Sequence, residues 1–311
     1  MTRETKPVKV AQLAAKVWER DPLAALDMAF VSRIMVQAFL PHREPKDIAW
    51  QRVNGNLTLT VKSGIGFEKG KSKVYGLPYG TIPRLLLAWL NSEAFRNSQD
   101  TENENPRHIQ LGKSLSEFLE KIGIPRTGGK RGGITSFKNQ AEKLFRAEIT
   151  ITCTGEDVVA ERDMKIADSR VFFWSHSEPG QTTLWESSIE LSERFYNLLI
   201  RNPVPLDWDV LRTIKQSPMA LDLYMWLTHR MSYIQEPVSI RWDTLEKQLG
   251  SGIEDSYKFK QQVRKHLKTI QTVWQGLKVD ASDPSVIRLS KSKALIPHKK
   301  ASKKLKKPVQ N

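Results

Sequence analysis

The ten-residue stretch Phe137-Lys-Asn-Gln-Ala-Glu-Lys-Leu-Phe-Arg146 recurs in altered form as Phe259-Lys-Gln-Gln-Val-Arg-Lys-His-Leu-Lys268. Four of the ten positions are identical, which alone is weak evidence of a duplication. The surroundings of the two stretches also match. Each follows a strand-like run, a short amphipathic helix and a glycine-containing turn, and each precedes more strand-like sequence. The order of strand, helix, turn, basic helix and hairpin is typical of a winged helix-turn-helix.

The short helices before the two basic stretches carry matching apolar positions, and each is closed by a glycine. Strand-like runs at residues 108–111 and 238–241 lead into them. The matched positions are Leu115, Phe118, Ile122 and Gly123 in the first copy and Trp242, Leu245, Leu249 and Gly250 in the second. We therefore predict an α+β fold with two tandem winged helix-turn-helix domains and a basic C-terminal tail.

The composition along the chain sets the expected domain boundaries. Residues 175–181 have the polar, Pro- and Gly-containing composition of a linker. In the first domain, the wing is expected to pair residues 148–153 with residues 171–174, and in the second it pairs 277–280 with 286–289. The predicted units are an N-terminal arm (1–30), a first domain (31–175), a second domain (184–290) and a disordered Lys-rich tail (291–311).

The net charge of +15 over 311 residues, with an isoelectric point near 9.8, indicates a polyanionic partner. The residues after Asp283 include Arg288 and eight lysines but no acid, so they carry +9 of this charge. The preceding part therefore carries only +6, and its positive charge must be concentrated on a surface to be useful.

Several function classes are excluded or disfavoured by the residues present. The single cysteine, Cys153, rules out a disulfide framework, and no apolar run reaches the length of a membrane span, so we expect a cytoplasmic protein with no membrane partner. Gly70-Lys-Ser72 lacks the earlier glycine of a phosphate-binding loop, because that position is Ile65. The six histidines are scattered. We predict no enzymatic activity, no cofactor and no metal site.

The two basic helices are the predicted DNA-reading elements. The apolar residues of the second helix fall on one stripe, and His266 within that stripe is expected to pack in the core. Asn and Gln can bond adenine, Arg can bond guanine, and Lys suits phosphates. The DNA-binding candidates are Lys130, Arg131, Thr135, Asn139, Lys143 and Arg146 in the first module, and Lys258, Gln261, Arg264, Lys265, Lys268 and Arg288 in the second.

These candidates are not equal. Arg264 is the expected base reader and Lys268 the expected phosphate anchor, whereas Glu142 takes the equivalent position to Arg264 and should weaken the first helix. Residues 128–133 hold four glycines around Lys130 and Arg131, which would let backbone amides approach a phosphate. The alternatives are an ordinary solvated basic face and a flexible turn of no special role.

The chain resembles plasmid replication initiators of the RepA type. The resemblance is carried by Gly76-Leu-Pro-Tyr-Gly-Thr-Ile-Pro-Arg-Leu-Leu-Leu-Ala-Trp-Leu90, by Leu111-Gly-Lys-Ser-Leu-Ser-Glu-Phe-Leu119 and by Phe173-Trp174. It implies a protein that binds directly repeated double-stranded DNA sites at a plasmid origin. It further implies melting of an adjacent A·T-rich segment and recruitment of the host initiator and replicative helicase. A homodimer that binds an inverted repeat for autorepression is a further implication.

Two other functions remain open from the sequence. A winged-helix transcriptional repressor without an initiator role would have the same modules, although two unequal modules favour asymmetric sites over palindromes. RNA binding would require exposed aromatic residues on a sheet, and here the aromatic residues mostly fall on apolar stripes.

Overall fold

The computed structural model describes residues 12, 28–33, 36, 40–111, 115–155, 158–171, 187–201 and 203–296, and the architecture below concerns these residues. Most of the predicted N-terminal arm (1–30) and the whole predicted linker (175–181) lie outside them, as does the chain beyond residue 296.

Three helices build the core of the first module. They are α1 (Thr81–Gln99), α2 (Leu115–Lys121) and α3 (Gly133–Arg146). The rings of Trp89, Phe118 and Phe137, one from each helix, meet at centroid distances of 4.7 and 5.5 Å. The sequence predicts Thr81 as the hydroxyl cap of α1. The cap residue is instead Gly80, whose φ of 78° favours glycine, and no side chain caps the helix.

An antiparallel sheet of the first module has the strand order β2-β3-β7-β8. Its strands are β2 (Ala49–Asn54), β3 (Leu57–Lys62), β7 (Glu148–Thr154) and β8 (Val159–Lys165). The prediction that residues 171–174 return beside β7 is wrong, because β8 fills that place. As an edge strand, β8 buries only Met164, so its sequence lacks the alternation that marks a half-buried strand.

The strands on either side of the predicted linker are shared between the modules. β10 (Ser188–Leu191) lies between β6 (His108–Gln110) and β9 (Ala167–Val171) of the first module. In the other direction, β1 (Met28–Ser32) pairs with β11 (Pro203–Asp207). Two short helices, α4 (Glu193–Ile200) and α5 (Trp208–Ile214), flank β11.

The second module has the order of elements that its sequence predicts. These elements are α6 (Pro218–Met231), β12 (Val238–Arg241), α7 (Trp242–Leu249), α8 (Ser256–Val273), β13 (Val279–Asp280) and β14 (Val286–Leu289). β14 is central and pairs with both β12 and β13. Ser217-Pro218 in the sequence predicts a helix start, and this is confirmed, because the Ser217 hydroxyl accepts from the amide of Ala220 at the start of α6. Gly250 ends α7 in the left-handed conformation.

The first residues of the predicted tail pack on the second module. Trp274 Nε1 donates to the carbonyl of Lys293 at 2.8 Å, the amide of Lys278 donates to the hydroxyl of Ser292 at 2.8 Å, and Ile296 is buried. The expectation of disorder from Lys291 onward is therefore wrong for residues 291–296. Buried polar groups of α8 and of the segment before β13 need these partners.

The two modules are joined through a buried ion pair. Arg84 on α1 donates from Nε to Asp222 Oδ1 at 2.6 Å and from Nη2 to Oδ2 at 2.8 Å. His42 Nε2 lies 2.7 Å from the same carboxylate and must be the donor, because a carboxylate only accepts. Asp222 on α6 is fully buried. Burial lowers the pKa of His42, although the contact with Asp222 opposes this shift.

A two-stranded ribbon extends from the first module beside α3. It consists of β4 (Ile65–Glu68) and β5 (Lys71–Val74), which pair only with each other. Lys69 and Gly70 form its two-residue turn, both with positive φ (52° and 77°). At its base, Gly64 touches the backbone of Arg146 so closely that an added Cβ would lie 2.2 Å from the Arg146 carbonyl oxygen. The ribbon is therefore fixed to the end of α3.

Candidate nucleic-acid interface

The outward face of α8 presents a row of polar and basic side chains. Phe259, Val263 and Leu267 are buried on the opposite side, which confirms the predicted apolar stripe. His266 is half-buried, and its Nε2 lies 3.1 Å from the Ser217 hydroxyl, as expected for a packed histidine. The exposed row consists of Lys258, Gln261, Lys265 and Lys268. These positions span about 15 Å along the axis, since each residue rises about 1.5 Å.

The start of α8 is electrostatically stabilised. The carboxylate of Asp255 accepts from the amides of Tyr257 at 2.9 Å and Lys258 at 3.1 Å. The backbone hydrogen bond from Lys258 is the main reason that the pKa of Asp255 is lowered. An ionised carboxylate at this end stabilises the helix that carries the exposed row.

Arg264 and Arg288 stabilise the hairpin that follows α8. The Arg264 guanidinium lies 5.3 Å from the centroid of the Trp242 ring, and its Nε donates to the carbonyl of Ala281 at 2.7 Å. Arg288 Nη2 donates to Asp283 at 2.7 Å. The side chain expected to read bases is therefore already bonded within the protein. Gln261, like its neighbour Gln262, is an exposed amide side chain of α8 with both a donor and an acceptor for a base edge.

The candidate residues on α3 divide into two groups. Thr135 and Asn139 are exposed, whereas Lys143 is buried, donates to Glu44 at 2.5 Å and lies over the Tyr79 ring. The expectation that Lys143 faces outward is wrong, because Glu44 and Tyr79 cover it. The bond from Lys143 is the largest cause of the lowered pKa of Glu44.

Arg146, the last residue of α3, makes two contacts within the protein. Its guanidinium stacks 4.0 Å from the centroid of the Tyr75 ring, and Nη2 lies 3.5 Å from Glu142. Glu142 therefore neutralises a basic residue of its own helix. The outward face of α3 is therefore less basic than that of α8.

The glycine-rich turn before α3 is tightly packed. An added Cβ on Gly133 would lie 2.0 Å from the carbonyl oxygen of Pro125, and the Gly133 amide already donates to the Thr127 hydroxyl at 2.8 Å. Gly133, and Gly132 before it, are needed for this close backbone approach within the turn. Lys130 and Arg131 remain exposed beside it. A cleft of about 370 Å³ separates Lys130 and Asn139 from the start of α1.

The ribbon carries basic residues that the sequence patterns did not predict. Lys73 is close enough to Glu142 for that carboxylate to raise its pKa, although the bond to Glu68 is the main cause. The ribbon therefore flanks the outward face of α3. Its three lysines are Lys69, Lys71 and Lys73. The signal available in the sequence was Gly70 between two short alternating runs, because glycine readily adopts the positive φ that a two-residue hairpin turn requires.

The described part of the chain contains neither a candidate membrane span nor a candidate metal site. No helix there is long and apolar enough to cross a membrane. No group of three or more His, Cys, Asp or Glu side chains there is arranged to hold a metal ion. The acidic residues of β8 are instead bonded across the sheet, as Thr150 donates to Asp163 at 2.5 Å and Thr152 to Glu161 at 3.1 Å.

Comparison with solved structures defines the class of fold. A crystal structure of domains 2 and 3 of RctB superposes with a TM-score of 0.52 and 10% sequence identity, covering 84% of this chain and 97% of that chain. A second crystal structure of RctB domains 2–3 gives a TM-score of 0.46 and 11% identity over 82% and 94% of the two chains. The described residues thus form a mixed α/β protein with eight helices and several small sheets, similar in fold to these domains.

Sequence comparison then identifies the family. The family model described as "Plasmid encoded RepA protein" matches residues 77–244, which is more than half of the chain. The chain belongs to this family of plasmid-encoded RepA proteins, which confirms the resemblance stated above. Membership of a replication-initiator family supports a role in initiating replication of a plasmid or another replicon. None of the curated protein sequences matches the chain significantly.

Proposed function

We propose that this protein initiates plasmid replication by binding double-stranded DNA at directly repeated origin sites. Two winged helix-turn-helix modules would present α3 and α8 to major grooves about one helical turn, roughly 34–36 Å, apart. The observation that carries the proposal is the exposed row of Lys258, Gln261, Lys265 and Lys268, opposite the buried stripe of α8. Such a row combines one base-reading amide with three phosphate anchors.

The two modules have unequal roles in this proposal. The α8 module supplies most of the specificity, because its row contains no acid, whereas Glu142 and the buried Lys143 weaken α3. The α3 module compensates with Lys130, Arg131 and the ribbon lysines, which contact phosphates rather than bases. Arg264 positions the β13–β14 hairpin and thereby holds Arg288 near the DNA backbone.

The later steps of initiation rest on family resemblance. They are melting of an A·T-rich segment, recruitment of the host initiator and helicase, and autorepression by a homodimer. In this role the protein is a non-catalytic binding protein that acts in the cytoplasm, and the chemistry of unwinding and synthesis belongs to its partners.

Footprinting of the full chain on the DNA that flanks its gene tests the function. Protection of direct repeats beside an A·T-rich tract is the expected result. Protection of a single palindrome at a promoter would instead identify a transcriptional repressor, and absence of any sequence-specific protection would refute DNA reading altogether.

A set of single substitutions tests the assignment of α8. Gln261→Ala should relax base preference at one position, at a cost of about 1–3 kcal/mol against the correct site. Lys265→Ala and Lys268→Ala should weaken binding to all sequences alike and lower the salt dependence. Lys62→Ala, an exposed lysine on β3 outside this row, is the matched control and should leave both quantities unchanged. Uniform loss in the Gln261 variant would contradict its role as a reader.

A further inference from the structure

A cleft of about 550 Å³ lies between the two modules, separate from the α3 and α8 faces. Arg33, the β2–β3 turn and Arg162 on β8 line it from one side. The end of α4 and the C-terminal part of α6 line it from the other, with Arg201 and Arg230. Its volume is that of a small-ligand site, for which about 300–1,000 Å³ is usual.

The described side chains that line the cleft carry positive charge and no negative charge. Four arginines (Arg33, Arg162, Arg201, Arg230) reach the cleft, and no carboxylate is present among its described lining residues. Within the described part of the chain, none of these four forms an ion pair. Arg33, Arg162 and Arg201 are exposed at its rim and Arg230 is half-buried on its floor. Like charges in one concavity repel each other, so the cleft is electropositive. Such a potential is relieved by a bound anion.

At the floor of the cleft, three neighbouring side chains position the guanidinium of Arg230. The Arg230 guanidinium lies 5.5 Å from the centroid of the Trp226 ring and 5.9 Å from that of Tyr233, and Nη2 is 3.4 Å from Gln248 Oε1. These contacts hold its planar fork in one orientation. An oriented guanidinium binds two oxygens of one phosphate with parallel hydrogen bonds.

The positive charges of the cleft also affect the pKa of His229, which lies on the same floor. Its side chain is buried, and its pKa falls from 6.5 to about 4, mainly through burial and further through the charges of Arg33 and Arg230. The imidazole is therefore neutral at physiological pH and offers one donor and one acceptor beside the arginines. It adds hydrogen bonding without adding repulsion.

We propose that this cleft binds a small anion with two or more phosphate groups, either inorganic pyrophosphate or the polyphosphate of a nucleotide. Arg33 and Arg162 would hold it from the first module and Arg201 and Arg230 from the second. A ligand contacted from both sides couples the modules to each other. This site does not depend on the DNA-binding proposal, because none of its residues belongs to the α3 or α8 faces.

The test uses the full chain and two readouts. Pyrophosphate, a nucleoside triphosphate and a short single-stranded oligothymidylate are each titrated by calorimetry. In parallel, the alkylation rate of Cys153 is followed, because this exposed thiol lines the cleft and is the chain's one cysteine. We expect pyrophosphate or the nucleotide to bind once per chain and to slow alkylation severalfold. The pKa of His229, followed by NMR, should rise on binding because the anion offsets Arg33 and Arg230.

Three variants decide whether binding is specific to the cleft. Arg201→Ala and Arg230→Ala should each weaken binding about tenfold or more, since each removes charge-assisted hydrogen bonds. Arg96→Ala, an exposed arginine on α1 that pairs with Glu93, is the control and should change affinity less than about twofold. Equal weakening by all three would overturn the proposal, as would binding of neither small anion. Protection of Cys153 by the oligonucleotide alone would overturn it in favour of a strand-binding groove.

Discussion

Replacing Asp222 with asparagine should destabilise the protein strongly, because this carboxylate neutralises a buried arginine. Asp222 is fully buried and receives two hydrogen bonds from Arg84 and one from His42, at 2.6–2.8 Å. The asparagine side chain would keep the shape but remove the charge. It would also place an amide NH₂ against either Arg84 or His42, both of which donate.

The expected cost is about 3 kcal/mol of unfolding free energy. Breaking a buried pair by removing one partner typically costs about 3–5 kcal/mol. The lower end applies because Arg84 keeps the carbonyl oxygens of Leu40, Pro41 and Gly80 as acceptors, at 2.5–3.1 Å. Since whole proteins are stable by only about 5–15 kcal/mol, such a loss is large.

Urea denaturation followed by tryptophan fluorescence measures this cost. Glu93→Gln is the control, because Glu93 pairs with Arg96 and Lys121 at the surface, where a pair contributes at most about 1 kcal/mol. The double variant Arg84→Met, Asp222→Leu should be less unstable than the sum of the single variants, since it removes both charges together. A cost below about 1 kcal/mol for Asp222→Asn would refute the view that this ion pair joins the modules.

Three further predictions follow from other parts of the molecule. The free energy of unfolding should fall as the pH drops below 6.5. The pKa values of His42 and His229 are lowered in the folded state, so the unfolded chain takes up protons first. For His229 the loss of stability continues towards about pH 4. His229→Gln should reduce this slope between pH 7 and 5, and an unchanged slope would exclude His229 as its source. Deleting residues 297–311, with six lysines, should lower the salt dependence of DNA binding by up to about 0.9 log–log units per lost contact without altering sequence preference, measured at several salt concentrations. Lys69→Asn should slow amide hydrogen exchange across residues 65–74, because asparagine tolerates the positive φ of the turn better than lysine does; equal exchange in both proteins would count against strain at this position.

The second module was predictable because its signals are local. The apolar stripe of α8, the cap at Ser217, the glycine after α7 and the β13–β14 hairpin all lie within a few residues of the positions that they fix. Period and capping rules act over this range, so the sequence contains them in readable form.

The first module was less readable because its sheets depend on distant partners. Nothing local shows that β10 lies between β6 and β9, or that β1 pairs with β11. Arg84 looks like a surface residue in an apolar helix until its partner, 138 residues away, is known. The outward position expected for Lys143 was wrong for the same reason, and the contacts of Arg264 with the β13–β14 hairpin could not be foreseen. Glu44 covers Lys143, and Arg264 donates to the carbonyl of Ala281, and only the fold brings these partners near.

Because the two halves of the chain share sheets, each half supplies strands that the other half needs. A chain cut between residues 171 and 187 would yield an N-terminal peptide that lacks β10, the central strand between β6 and β9. It would also lack β11, the partner of β1. Unpaired strand edges of this kind favour aggregation. The two peptides should therefore fold when mixed, as a heterodimer whose stability rises with concentration.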